Sequence, residues 1–420
     1  VDVAGNSVNN QSTSISQETY CQDDTLLSET LITLNNSDTY ESVITNEGSV
    51  STSTLKKSTE NEEAEYNIAG ITFKKVSNTD ITYDIDLHNG TDKMFEYIYD
   101  LAGNISEIKQ DDLLQHKYIY DPHGRLTKEY DYVAGKIYVF KYNSTGNMYS
   151  KQIYSMSENG NEGALISNKA FVYGNSSWSD QLTGCNGTNI TYDALGNPID
   201  YRDGMSFAWE RGRSLKRVKF SDNSTATYKY NENGLRTYKS VSRDNTVTTY
   251  EWDENTLIRE TVTDNTLHTT YDIWYMYDTT GSILGYQYSY LDSANEKQTE
   301  TIYYEKNYQG DIIGLLDENG TKIATYSYDA WGNISTSNCI SGNEEAYNLN
   351  HIGYRGYYRD NETGLYYLQS RYYDSETGRF ISADDVSYLG IADNVVSKDN
   401  LYCYCNGNPV NNLDPTGKAS

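Results

Sequence analysis

The sequence predicts an all-β fold of repeated β-hairpins that pair edge to edge into a long, curved sheet. Three observations carry this. A unit of Tyr, then Asp or Asn, two variable residues and Gly recurs along most of the chain. Aromatic content is almost entirely phenolic, 43 Tyr against 7 Phe, and Tyr suits a pleated, half-wet surface. Turn formers abound while Pro is scarce, with 31 Gly and 4 Pro in 420 residues, which is the chemistry of many short strands.

Residues 1–65 are rich in Ser, Thr, Asn and Glu, interrupted only by short apolar islands such as Leu26–Leu27 and Leu31–Ile32. They read as a weakly ordered segment or as the start of a strand array. From residue 66 the pattern changes, and Ile71 and Phe73, then Ile81, Tyr83, Ile85 and Leu87, alternate with polar residues at the period of a strand with one buried face. The repeats follow over residues 66–352. Tyr99–Asp100 leads to Gly103, Tyr120–Asp121 to Gly124, Tyr142–Asn143 to Gly146, Tyr192–Asp193 to Gly196, Tyr230–Asn231 to Gly234, Tyr277–Asp278 to Gly281, and Tyr328–Asp329 to Gly332.

Each unit brings in a strand ending on Tyr, reverses the chain with an Asx side chain and a positive-φ Gly, and sends out the next strand. One hairpin is marginal in water, so the units are expected to stack on their neighbours rather than split into small sandwiches. Three stretches depart from the pattern: Met156 to Ser179, Trp209 to Lys219, and Ala383 to Lys398. The second carries the basic cluster Arg211, Arg213, Lys216, Arg217 and Lys219, read as a solvated strand face.

Charge and composition exclude several function classes. With 33 basic and 60 acidic residues the net charge is -27, which argues against a phosphate-binding surface, so no nucleic-acid partner is expected. The five Cys are an odd count without a CxxC pair, and the five His are scattered without HExxH. No metal, cofactor or disulfide framework is therefore expected. Cys403 and Cys405 are placed on one face of a short strand within Leu401 to Cys405. No run has the length and apolarity of a transmembrane helix. The chain starts at Val1 without Met or a signal segment, so it is read as a fragment or a processed piece.

The last stretch, residues 353–417, is the most specific. Asp360, Glu362, Thr363, Gly364, Leu365, Tyr366 and Tyr367 are followed by Arg371, Tyr372, Tyr373, Asp374, Gly378, Arg379 and Phe380, and the stretch closes on Asn408, Pro409, Val410, Asp414, Pro415 and Gly417. Asp360 to Gly364 and Asp374 to Gly378 each read as a hairpin turn in which the Asp side chain is the acceptor. This run resembles the repeat-associated core of the Rhs family, and the upstream units resemble its tyrosine-aspartate (YD) repeats.

The resemblance implies a β-sheet spiralling into a hollow shell, as in Rhs proteins, the C components of insecticidal toxin complexes, and teneurins. It implies a bacterial polymorphic-toxin scaffold, secreted or at the cell surface, whose shell encloses a C-terminal toxin in cis and meets a delivery or cell-wall protein. Residues 418–420 would lead into that variable domain. It further implies self-cleavage after the final Asp, Pro, variable, Gly motif by a pair of aspartates resembling an aspartyl protease. The positions that match are Asp414 and Asp384, although Asp385 stands where the motif has Pro and Lys418 where an apolar residue is usual. Arg371 and Arg379 are read as strand-pairing ion partners. The alternative from the residues themselves is an adhesin that binds a surface glycan or a protein through outward-facing Tyr rows, with both aspartates as turn residues.

Overall fold

The computed structural model describes the chain continuously over residues 93–384 and 400–418, and before them the backbone of strands lying between residues 15 and 86. The chain divides into two units, residues 1–119 and 120–420. In the first, Ile15–Gln22 pairs antiparallel with Thr25–Thr33, which pairs with Ile81–Asp86. Lys93–Tyr99, Ile105–Gln110 and Leu113–Tyr120 follow in order. Tyr40–Asn46 with Ser49–Leu55, and Ala64–Ile68 with Ile71–Lys75, form separate hairpins. The alternating residues from Ile71 to Ile85 thus lie on strands, while Leu87 falls outside the described residues.

The second unit is built the same way. Leu126–Asp131, Lys136–Tyr142, Met148–Met156 and Glu162–Val172 pair in succession, followed by the short strands Gly184–Cys185 and Thr188–Asn189. A second array of twelve described strands, from Ser206–Glu210 to Ile334–Cys339, pairs strictly in chain order. The all-β class of antiparallel hairpins is what the chain adopts.

The repeat unit explains this regularity. At Asp329 the carboxylate Oδ1 accepts the N–H groups of Trp331 and Asn333 at 3.0 and 2.9 Å, and Gly332 takes φ +87°. Asn231 performs the same capping at 3.0 and 2.9 Å, so Asp and Asn are interchangeable here. The Tyr just before the turn has its own task. Tyr142, Tyr230, Tyr277 and Tyr328 donate their hydroxyls to the carbonyls of Leu126, Leu215, Leu257 and Ile312, at 2.6, 2.9, 2.8 and 3.1 Å. Each ring is thereby stapled to a strand of the preceding hairpin, which Phe could not do.

After the helix Glu344–Leu349 comes a four-stranded sheet, Tyr358–Asp360, Leu365–Leu368, Arg371–Asp374 and Arg379–Phe380. Its strands are almost wholly buried, and it packs against both arrays of the unit. Tyr354, Tyr366 and Tyr373 donate to the carbonyls of Ala330, Gly332 and Trp331 at 2.8, 2.7 and 2.7 Å. The same turn meets the first array: Lys151 bonds Asp329 at 2.8 Å with both side chains buried, and Glu129 accepts the Ala330 N–H at 2.8 Å.

Two expectations are corrected. Leu401 to Cys405 forms no strand: the Leu401 carbonyl serves the Asp384 N–H and that of Tyr402 the Phe380 N–H. Cys405 takes φ +51° at the start of a short 3-10 turn, so Cys403 and Cys405 share no strand face. The Asp360 side chain also leaves its turn, where Gly364 N–H bonds the Asp360 backbone carbonyl at 2.8 Å. Its carboxylate is fully buried and turns to Arg236 and Lys239, which supply the charge that a desolvated carboxylate requires.

Candidate active site

The hairpin Leu365–Leu368 to Arg371–Asp374 turns through Gln369 and Ser370. Gln369 takes φ +59°, and Ser370 presents both its N–H and its hydroxyl to the Thr416 carbonyl, at 3.2 and 2.7 Å. The segment around Thr416 is thereby docked on this turn. Gly417 follows with φ +68°, and a Cβ there would lie 2.9 Å from both the Leu368 carbonyl oxygen and Ser370 Oγ. Only glycine fits this approach.

The docked segment places one peptide bond among three charged side chains. The carbonyl of the Gly417–Lys418 peptide accepts from Arg371 Nε at 2.5 Å, and its N–H donates to Asp414 Oδ1 at 3.2 Å. Arg371 Nη2 bonds Asp384 Oδ2 at 2.8 Å and lies 3.5 Å from Asp414 Oδ2, while Nη1 donates to the Leu401 carbonyl at 3.0 Å. Two aspartates 30 residues apart in sequence (414 minus 384) therefore meet on one guanidinium nitrogen.

The surroundings are dry on one side and accessible on the other. The Asp414 side chain is 1 % exposed and that of Asp384 17 %. The Arg371 guanidinium stacks on Phe380, 3.6 Å from the ring centre. Burial pulls Arg371 down to about 10, against the opposing pull of Asp384 and Asp414. The Tyr357 hydroxyl accepts the Asp414 N–H at 2.9 Å and bonds Tyr404 at 3.1 Å, fixing the backbone that aims Asp414.

The other motif residues hold the core in place. Asp360 bonds Arg236 at 2.6 Å and Lys239 at 3.0 Å. Asp374 caps Glu376 N–H at 3.0 Å and receives Arg202 through Nε and Nη2 at 2.7 and 2.8 Å. Gly364 and Gly378 take φ +72° and +67° in the two turns. Arg379 donates to the Asp180 carbonyl and lies over Tyr173 and Tyr402. Tyr372 bonds Tyr230 at 2.9 Å, and the Pro409 carbonyl accepts from Arg355 at 2.5 Å; Pro415 is exposed.

Sequence reasoning thus named both aspartates and Gly417. It missed the joint role of Arg371, the Ser370 clamp and Tyr357, because a lone Arg or Ser on a hairpin carries no spacing signal. Among the described residues no group of His, Cys, Asp and Glu is arranged to hold a metal ion, and no helix is long and apolar enough to cross a membrane.

No family model matches the chain. It is 36 % identical over 241 residues to the tRNA3(Ser)-specific nuclease WapA of Bacillus spizizenii, a match covering 57 % of this chain and 9 % of that protein. It is 26 % identical over 291 residues to toxin subunit YenC1 of Yersinia entomophaga, covering 67 % of this chain and 29 % of that one. A crystal structure of TcdB2-TccC3 without its hypervariable C-terminal region matches 93 % of this chain and 21 % of its own, with TM-score 0.63 and 18 % identity. The chain is therefore similar in sequence to a toxin subunit and shares the fold of toxin-complex components.

Proposed function

We propose that this chain is a scaffold from a bacterial polymorphic toxin of the Rhs type: a YD-repeat shell whose core closes on a C-terminal cargo and cuts the chain between Gly417 and Lys418. The observation that carries the reading is the Gly417–Lys418 peptide, held by its carbonyl on Arg371 and by its N–H on Asp414, with Asp384 on the same guanidinium. Similarity to a toxin subunit and the shared toxin-complex fold support the scaffold role. The tRNA nuclease activity in the WapA name belongs to that whole protein, of which this match spans 9 %.

The chemistry follows from the geometry. Asp384, the more accessible carboxylate, takes a proton from water as the oxygen attacks the Gly417 carbonyl carbon. Charge developing on the carbonyl oxygen falls on Arg371. Asp414, entering the step protonated, delivers its proton to the Lys418 nitrogen as the C–N bond breaks. The products are a Gly417 carboxyl group and a Lys418 amine.

The adhesin alternative needs outward-facing Tyr rows, whereas Tyr97, Tyr228, Tyr286 and Tyr288 on the repeat strands are fully buried. The test is intact mass of the chain extended past Ser420 by a folded reporter, beside Asp384→Asn and Asp414→Asn. Cleavage after Gly417 in the parent and intact chains in both variants are expected. Three intact chains would reduce the aspartates to turn residues.

A further inference from the structure

The segment that interrupts the repeats before Ser179 leads into an open cavity of ≈ 790 Å³, walled by residues between Val172 and Ala194. That volume lies within the range of small-molecule sites, roughly 300–1,000 Å³. It belongs neither to the aspartate pair nor to the core hairpins.

Its wall is held by ring packing and hydrogen bonds. Trp178 and Tyr192 line it, and both rings pack on the fully buried Tyr402, with centroids 5.6 and 5.9 Å away. Asn175 Oδ1 accepts the N–H groups of Ser177 and Trp178 at 3.0 and 3.2 Å, and its Nδ2 donates to Gln181 Oε1 at 2.6 Å. Gln181 in turn donates to Tyr402 at 3.3 Å. Thr188 and Asn189, the short strand that also lines the cavity, are both exposed, and the Trp178 ring is half-buried.

The charges decide what such a wall can take. Among the lining residues none is Lys, Arg or His, so nothing here neutralises an anion. Asp193 is the one carboxylate, and both its oxygens are engaged, Oδ1 by the N–H groups of Leu195 and Asn197 and Oδ2 by Asn197 Nδ2, so a cation has little to gain. What remains is a pair of fixed aromatic rings edged by amides and hydroxyls. That suits a neutral polyhydroxylated ring, whose C–H face packs on the indole while its hydroxyls meet the exposed hydroxyl and amide groups of Thr188 and Asn189.

We propose that this cavity is a binding site for a neutral carbohydrate of one or two sugar rings. Intact chain is titrated calorimetrically with glucose, N-acetylglucosamine, maltose, cellobiose and chitobiose, and with glucuronic acid as the anionic comparison. At least one neutral sugar is expected to bind with a Kd of about 1 mM or tighter, and glucuronic acid more weakly. Trp178→Ala is expected to weaken binding by at least ~10-fold, equivalent to about 1.4 kcal/mol. Because Trp178 also packs on Tyr402, Asn189→Ala on the exposed strand decides the matter should that variant not fold, with a loss of several-fold expected. No neutral sugar binding, preference for glucuronic acid, or unchanged affinity in the deciding variant would overturn the assignment.

Discussion

Asp360→Asn removes one charge from a cluster with no access to solvent. Arg236 is fully buried, with Nη1 2.6 Å from Asp360 Oδ2, and Lys239 Nζ is 3.0 Å from Oδ1. The Arg236 guanidinium sits among the rings of Tyr228, Tyr250, Tyr358 and Tyr367, at 4.4 to 5.4 Å from their centres. Burial pushes the Asp360 carboxyl up, but Arg236 and Lys239 outweigh it and hold it below the usual carboxylate range. Asparagine keeps the shape and leaves two buried cations with only Glu362, 3.3 Å from Lys239, and the buried Glu260 as nearby carboxylates. Breaking a buried pair in this way costs about 3–5 kcal/mol, a large share of the ~5–15 kcal/mol that stabilises a typical domain. The control is Asp317→Asn in a repeat turn, where Oδ1 accepts two N–H groups at 2.9 and 2.7 Å and Asn can do the same. Urea unfolding followed by tryptophan fluorescence reads both, Trp252 being hydrogen-bonded to the Arg236 carbonyl. A shift for Asp360→Asn within about 1 kcal/mol of the control would refute the view that this cluster anchors the core.

Further outcomes follow from the same contacts. Gly417→Ala should leave the fold intact yet slow cleavage at least ~10-fold, since its Cβ would press on the Leu368 carbonyl and Ser370; an unchanged rate of reporter release would contradict the docking described. Tyr230→Phe should cost about 1 kcal/mol by removing the hydroxyl that serves both the Leu215 carbonyl and Tyr372, measured as a lower urea midpoint. His351, buried beside Glu260 at 3.6 Å, is pushed down to about 3 by burial and by Lys239. The unfolded chain thus binds a proton below its ordinary value of 6.5 that the folded chain refuses, so this contribution is full above that value and is lost as pH falls toward about 3. Glu260, raised by burial, works in the opposite sense, and Asp360 adds its own loss at lower pH. His351→Gln should flatten the fall in Tm between neutral pH and pH ~4; an unaltered profile would remove His351 as its source.

The hairpin array was legible because each turn is a local event: an Asx side chain capping its own loop and a Gly at positive φ leave their mark within five residues. The pairing order followed from the repeat. What stayed hidden lay in the core's long-range partners. On the strand Arg236–Val241 the buried positions are Arg236, Lys239 and Val241, which breaks the period of two, so no alternation marks Lys239 as inward. Arg371 read as a strand-pairing residue because its partners, Asp384, Asp414 and the Gly417 carbonyl, come from chain that returns to the hairpin from beyond it. The strand expected at Leu401 to Cys405 failed for a related reason: its carbonyls are claimed by Arg371, Asp384 and Phe380.

The contrast between neighbour-only pairing in the arrays and distant partners in the core bears on how the molecule is made. Each repeat can settle on the one before it as it leaves the ribosome, since its partners are already present. The contacts that bind the unit together must wait. Lys151 waits 178 residues for Asp329, Gly196 waits 206 for the Tyr402 hydroxyl, and Asn147 waits 253 for Asn400. Closure is therefore timed by the arrival of residues 400–417, and the aspartate pair is assembled only after both arrays have been made.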